Sequence, residues 1–132
     1  MLATQASPET VEFLRRYYDA IDNQRAEEAL SVFAADATVR VPNEPAQPWM
    51  QGMQAMARQL RGVTGTRHAI TRVIEADGGE TAYEVEITYI LKGGEEVTLT
   101  GSVFCTIRDE RFQSQNLYVD LTPVRNAIER KD

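Results

Sequence analysis

The run Phe33-Ala34-Ala35-Asp36-Ala37-Thr38-Val39-Arg40-Val41 decides how this chain is read. Phe33 completes an apolar face with Ala26, Ala29 and Leu30, the spacing of a short helix from about Arg25 to Ala34. Thr38-Val39-Arg40-Val41 then reads as a short strand, so the stretch marks where helical text gives way to β text.

Upstream, Ser7-Pro8-Glu9 is a helix start: a Ser cap, Pro in the first turn, and an acid at the positive end of the helix dipole. Val11, Leu14, Tyr18 and Ile21 follow at helical spacing, with Tyr17 on one edge, and Asp22-Asn23 breaks the pattern. Downstream, Pro42 to Pro48 is a loop containing three prolines, which fit neither a helix interior nor a central strand. Trp49-Met50 closes the loop. After Gly52 a third helix turns Met53, Met56, Ala57 and Leu60 inward, and Gly62 and Gly65 end it.

The remainder is β. The predicted strands are Arg67–Ala76, Glu80–Leu91, Glu96–Arg108 and Arg111–Leu121, joined by Asp77-Gly78-Gly79, Gly93-Gly94 and Asp109-Glu110, which make antiparallel hairpins. Helices first and long strands after give an α+β fold, with three N-terminal helices against one face of a curved mixed or antiparallel sheet. The 132 residues form one domain, with residues 1–7 and 124–132 expected as tails; the latter reads as either a frayed helix or a tail.

Composition excludes several classes. A net charge of −6 leaves no basic footprint for nucleic acid and no polybasic membrane anchor. No stretch approaches the ~20 apolar residues of a membrane span. Met1 to Thr10 lacks the basic and apolar regions of a signal peptide, so a cytoplasmic location is expected. One cysteine, Cys105, and one histidine, His68, cannot build a Cys- or His-rich metal site, and Cys105 reads as a small core residue. No phosphate loop or nucleophile elbow is present, and no cofactor is expected.

The order of elements, together with Tyr17-Tyr18-Asp19-Ala20-Ile21-Asp22, Phe33-Ala-Ala-Asp36-Ala37-Thr38, Gly52, His68-Ala-Ile70 and Tyr118-Val-Asp120-Leu-Thr-Pro123, resembles the nuclear transport factor 2-like superfamily, and its SnoaL-like branch in particular. The resemblance runs from about Thr10 to Pro123. It implies a cone-shaped half-barrel with a cavity between helices and sheet, and a homodimer through the outer sheet face. The same fold serves isomerases, hydrolases, cyclases, dehydratases and non-catalytic binding modules, so it does not by itself deliver an activity.

Tested against ketosteroid isomerase, the resemblance keeps the tyrosine at Tyr17 but puts Val41 at the base position and Val103 at the second acid. The positions that limonene-epoxide hydrolase needs fall at Thr88, Leu117 and Glu86, and none is retained. A scytalone-dehydratase-like site needs more than one histidine. The remaining candidate catalytic residues are His68, Tyr17 and Glu86. His68 reads as a general base, a ligand contact or a strand-end structural residue. Tyr17 reads as a donor into the cavity or a core aromatic. The candidate ligand-binding set is Tyr17, Tyr18, Val41, Trp49, Met53, Met56, His68, Tyr83, Val103, Gln115 and Leu117, with Trp and Met suited to an adaptable apolar site.

Glu86 depends on register. A two-residue Gly93-Gly94 turn puts Glu86 on one face with Val97, Leu99 and Val103. A three-residue turn, Gly93 to Glu95, instead turns Tyr83, Val85, Ile87 and Tyr89 inward, and burial energetics favours it, because an unpaired buried carboxylate costs on the order of several kcal/mol. The expected function is a SnoaL-like domain of unassigned activity binding a small hydrophobic molecule; the alternative is an acid–base enzyme on a polyketide- or terpenoid-like substrate using His68 and Tyr17. Phe104, Tyr118 and the threonines Thr98, Thr100 and Thr106 lie on the face expected either to dimerise or to be solvated.

Overall fold

The computed structural model describes residues 6–131; the expected N-terminal tail lies largely outside them. Four helices and six strands follow in the order α1 (Pro8–Asp22), α2 (Ala26–Leu30), β1 (Phe33–Arg40), β2 (Gln47–Pro48), α3 (Trp49–Gln59), β3 (Val63–Glu75), β4 (Glu80–Leu91), β5 (Glu96–Arg108), β6 (Arg111–Tyr118) and α4 (Thr122–Lys131). The strands form one curved, unclosed sheet in the order β2-β1-β6-β5-β4-β3. Only β1 and β6 run parallel; every other neighbouring pair is antiparallel.

Helix α1 begins as its sequence dictates. Thr10 N–H donates to Ser7 Oγ at 3.2 Å, and Pro8 occupies the first turn, where a missing N–H costs nothing. Its inner face, Phe13, Leu14, Tyr17, Tyr18 and Ala20, is buried against the sheet. Both of its ends are tied to β3 by carboxylates. At the start, Glu75 accepts from Ser7 N at 2.7 Å and Thr10 Oγ1 at 3.0 Å. At the end, Asp22 meets Thr66 and His68.

The structure corrects three sequence expectations about elements. The strand expected at Thr38 begins at Phe33, because Phe33 buries its ring against Phe112 (centroids 5.2 Å apart) and pairs with it across β1 and β6. The third helix begins at Trp49, directly after Pro48, rather than after Gly52. Residues 122–131 form α4, whose Val124 and Ala127 are fully buried, in place of a tail.

Register decides which face sees the core. Tyr83 pairs with Val103, Val85 with Gly101, Ile87 with Leu99 and Tyr89 with Val97. The β4–β5 turn is three residues, Lys92 to Gly94, closed by Leu91 N–H to Glu95 O at 2.8 Å. That is two residues away from the pairing expected for a Gly93–Glu95 turn. A slip of two keeps every side chain on its face, whereas a slip of one would swap them, so the inward set is the expected one. In β3 the register shifts between Ile70 and Arg72. This bulge changes the alternation, so that His68 and fully buried Val73, at positions of opposite parity, both reach the inner face.

Candidate functional site

Between α1, α3 and the concave sheet lies a cavity of about 150 Å³. It is lined by Tyr17, Tyr18 and Ile21 of α1, Val39, Arg40 and Val41 at the end of β1, and Met53, Met56 and Leu60 around α3. The sheet adds Thr66 and His68 of β3, Ile87 and Tyr89 of β4, Val103 of β5, and Gln115 and Leu117 of β6. An apolar cavity of ~150 Å³ is known to hold a benzene-sized molecule. The two methionines are unbranched and can make way for something larger.

His68 is the histidine of this lining, and its partner is Asp22. One carboxylate oxygen of Asp22 receives His68 Nδ1 at 2.6 Å and the Thr66 hydroxyl at 2.9 Å. The other receives the His68 backbone N–H at 2.8 Å. With a carboxylate at this distance, Nδ1 carries the hydrogen, and in the neutral ring Nε2 is left as the acceptor. Nε2 has no protein partner among the described residues. Tyr18 stacks on the imidazole, ring centroids 4.4 Å apart and 27° between planes, fixing the ring about its remaining torsion. The His68 and Asp22 side chains are 10% and 19% exposed, sheltered enough for the pair to be geometrically defined.

Asp22 was absent from the sequence-based candidates because it reads as a helix breaker. One signal does distinguish it. Asp19 and Asp22 both lie in the last turn of α1, where the negative end of the helix dipole disfavours carboxylates. Asp19 is explained by Arg25, 2.6 Å away at the surface. Asp22 makes no ion pair with an arginine or lysine among the described residues, although Arg67 of β3 interacts with it electrostatically, and its oxygens are met by the donors of β3.

Tyrosines supply the other polar groups. Burial pushes the Tyr17 phenol up to about 12, with the Gln115 side chain acting in the opposite direction. Burial alone pushes Tyr89 up to about 12. Both therefore stay protonated as donors throughout the neutral range. Tyr89 was placed on the inward face by sequence but not among the candidates; its hydroxyl makes no hydrogen bond to the described residues. Since Thr66 pairs with Tyr89 and His68 with Ile87, Tyr89 is the diagonal neighbour of His68 across β3 and β4. Tyr18 and Tyr83 satisfy one another, oxygen to oxygen at 2.6 Å.

Of the expected residues, Tyr17, Tyr18, Val41, Met53, Met56, His68, Val103, Gln115 and Leu117 are brought together around the cavity. Three are not. Glu86 is exposed and points to the outer face opposite Thr100, because burying it would strand a charge. Trp49 stacks face to face on Phe33 (centroids 5.1 Å, 1° between planes) and does not line the cavity. Tyr83 is buried behind Tyr18 rather than at the cavity wall. Among the described residues no three His, Cys, Asp or Glu side chains gather into a metal-ligating group, and no helix is long and apolar enough to cross a membrane.

The family model for the SnoaL-like domain matches residues 14–115, from the middle of α1 to the Gln115 wall of the cavity. The chain belongs to the SnoaL-like domain family. No curated protein shows significant sequence similarity to it. Among solved structures, this SnoaL-like chain is similar to TerC co-crystallised with polyporic acid, at 19% identity and a TM-score of 0.74 over 90% of this chain and 97% of that one. An NTF2-like protein of unknown function from Burkholderia pseudomallei K96243 matches at 15% identity and a TM-score of 0.75, covering 92% and 98%. An LEH-like epoxide hydrolase from M. tuberculosis matches at 17% identity and a TM-score of 0.69, covering 92% and 90%. At such identities the likeness is one of fold, and the chemistry has to come from the residues of this cavity.

Proposed function

We propose that this SnoaL-like domain is an acid–base enzyme whose cavity takes a small, mostly apolar molecule carrying an oxygen function, with His68 as the proton-transfer group. The observation that carries this reading is the Asp22–His68 pair, which holds Nδ1 and leaves Nε2 without a hydrogen bond among the described residues, on a side chain that lines the cavity. On a ketone, Nε2 would take the proton from the carbon next to the carbonyl. The bonding electrons move onto the carbonyl oxygen, which accepts a hydrogen bond from the Tyr89 or Tyr17 hydroxyl, and the proton returns from Nε2 to carbon. Asp22 positions the ring and offsets its charge when it is protonated, without taking the proton itself, as in catalytic triads. With valines at 41 and 103, His68 of β3 would serve as the base in place of a carboxylate on β1.

Cyclohexanone in D2O is a direct test. It suits a cavity of about 150 Å³, and deuterium incorporation next to the carbonyl reads out proton abstraction without assuming a natural substrate. Turnover above background that falls ~100-fold or more in His68→Ala is expected for a general base. Binding without His68-dependent exchange would reduce the reading to a binding module. That second reading has one observation in its favour: Glu75, which does not line the inner cavity, fastens the other end of α1 to β3 with similar bonds, so Asp22 could be a clip alone. TerC held polyporic acid in its crystals, which supports a small-molecule ligand under either reading.

The outer sheet face supports self-association. Phe104 and Tyr118 are 57% and 51% exposed, with ring centroids 6.0 Å apart, an aromatic pair left open to water. Sedimentation of the wild type and of Phe104→Lys separates a dimer through this face from a solvated monomer.

A further inference from the structure

A second, larger depression adjoins the cavity. The parallel pairing of β1 with β6 ends at Arg40 and Asn116, and beyond it the two chains diverge. The gap holds a depression of about 620 Å³, with Arg40, Asn43 and Glu44 on one side and Tyr118, Asp120 and Thr122 on the other. Arg40, Val41 and Leu117, at the root of the gap, line both this depression and the inner cavity, so the mostly apolar chamber and the polar one meet at these three side chains.

The polar chamber offers donors and acceptors side by side. Arg40 commits one guanidinium nitrogen to the Glu44 carbonyl at 3.3 Å. The Glu44 carboxylate is held by Gln47 at 3.0 Å and Gln59 at 3.4 Å. Asp120, an exposed lining residue of the gap, accepts the Thr122 N–H at 3.0 Å. With one guanidinium against two carboxylates, an anionic head meets repulsion and a cationic head meets Arg40. A hydroxylated, uncharged head both donates and accepts, and so suits the whole set.

We propose that the site has two chambers and selects an amphipathic neutral molecule, its apolar end beside His68 and its hydroxylated head in the gap between β1 and β6. This rests on the inner cavity being the ligand site. Four probes of equal chain length test it by NMR titration of the full chain: hexyl β-D-glucopyranoside, 1-hexanol, hexanoate and hexyltrimethylammonium. The glucoside should bind about tenfold more tightly than hexanol, the gain of one or two net hydrogen bonds. Asp120→Ala and, independently, Asn43→Gly should abolish that gain and leave hexanol unchanged. Asn43 has φ 69°, so glycine keeps its backbone while deleting the amide. Equal affinity of glucoside and hexanol, tighter binding of either charged probe, or equal weakening of hexanol in both variants would overturn the two-chamber site while leaving the inner cavity intact. If no probe perturbs the Met53 and Met56 methyl signals, the inner cavity fails as a ligand site and the proposal falls with it.

Discussion

Replacing Asp22 by asparagine changes one atom and separates the roles of the site. The carboxylate receives three donors, His68 Nδ1, the His68 backbone N–H and the Thr66 hydroxyl, at 2.6, 2.8 and 2.9 Å. An amide has only one accepting atom. If that oxygen faces Nδ1 and Thr66, the NH2 group meets the His68 backbone N–H, donor against donor, and a sheltered backbone donor loses its partner at a cost of ~1–3 kcal/mol. If the oxygen instead keeps the backbone N–H, the NH2 group donates to Nδ1, and the imidazole has to move its hydrogen to Nε2. The second arrangement loses no partner, since the Thr66 hydroxyl can rotate to accept, so it should prevail. Bonds to an ionised acceptor are worth ~1.5–3 kcal/mol and neutral ones ~0.5–1.5, and allowing for the partial exposure of Asp22 the exchange should cost about 2 kcal/mol of stability. For a chain of this size that lowers a urea midpoint by roughly 1 M.

The functional consequence is larger than the stability one. With its hydrogen on Nε2, His68 presents a donor to the cavity and can no longer accept a proton there, and proton abstraction should fall by ~100- to 10,000-fold. His68 is the sole histidine, so its two ring nitrogens give an unambiguous 15N spectrum in which the protonated nitrogen is read directly. Thr66→Val is the control: it removes one hydroxyl from Asp22 at a cost of ~1 kcal/mol and leaves the tautomer alone. An Asp22→Asn protein that keeps its hydrogen on Nδ1, or that keeps full exchange activity after the hydrogen has moved, would refute the assignment of Nε2 as the base.

Stability should fall at alkaline pH, because Tyr17, Tyr18, Tyr83 and Tyr89 are all held above their ordinary value of 10.0 by burial, and Cys105 is pushed from 9.0 up to about 12 in the same way. The unfolded chain releases these protons first, so their contribution is complete below about pH 9 and is lost toward pH 12; a urea midpoint that stays flat between pH 8 and 11 would contradict it. Cys105, with its thiol buried and protonated, should resist iodoacetamide at pH 8 in the native protein and react at once in urea. Gly52→Ala should destabilise by ~1–3 kcal/mol, since its methyl would sit 2.8 Å from Val39 Cβ, and Val39→Ala in the same chain should recover part of the loss only if that contact is the cause. Glu75→Ala should lower stability by ~1–2 kcal/mol through the lost bonds to Ser7 and Thr10 without changing ligand affinity.

The container was legible in the sequence because hydrophobic periodicity is a local signal. Ser7 and Pro8 announce α1, and the alternation from Tyr83 to Leu91 sets a face that survives an error of two residues in register. The boundaries of β1 and α3 were not legible, because Phe33 and Trp49 take their conformations from each other and from Phe112, residues distant in sequence. The same limit explains the site. Tyr17, His68, Val41 and Val103 could be placed at the cavity by the family resemblance, but the partner of His68 lies 46 residues away on another element.

What separates a clip from a catalytic pair is then the cost of the carboxylate's position. Glu75 sits at the N-terminus of α1, where the dipole favours an acid, and its bonds to Ser7 and Thr10 are repaid in stability whatever else the protein does. Asp22 sits at the opposite end, where the dipole opposes it, and it faces a histidine whose second nitrogen has nothing to hold. An uncharged side chain there could accept from His68 N and Thr66, but not from Nδ1 as well. A carboxylate is needed only if the imidazole beyond it has to be oriented, kept on one tautomer and tolerated when protonated. That third bond, to Nδ1, is the physical reason for assigning the proposed proton transfer to His68 of β3, with no carboxylate at Val41 or Val103.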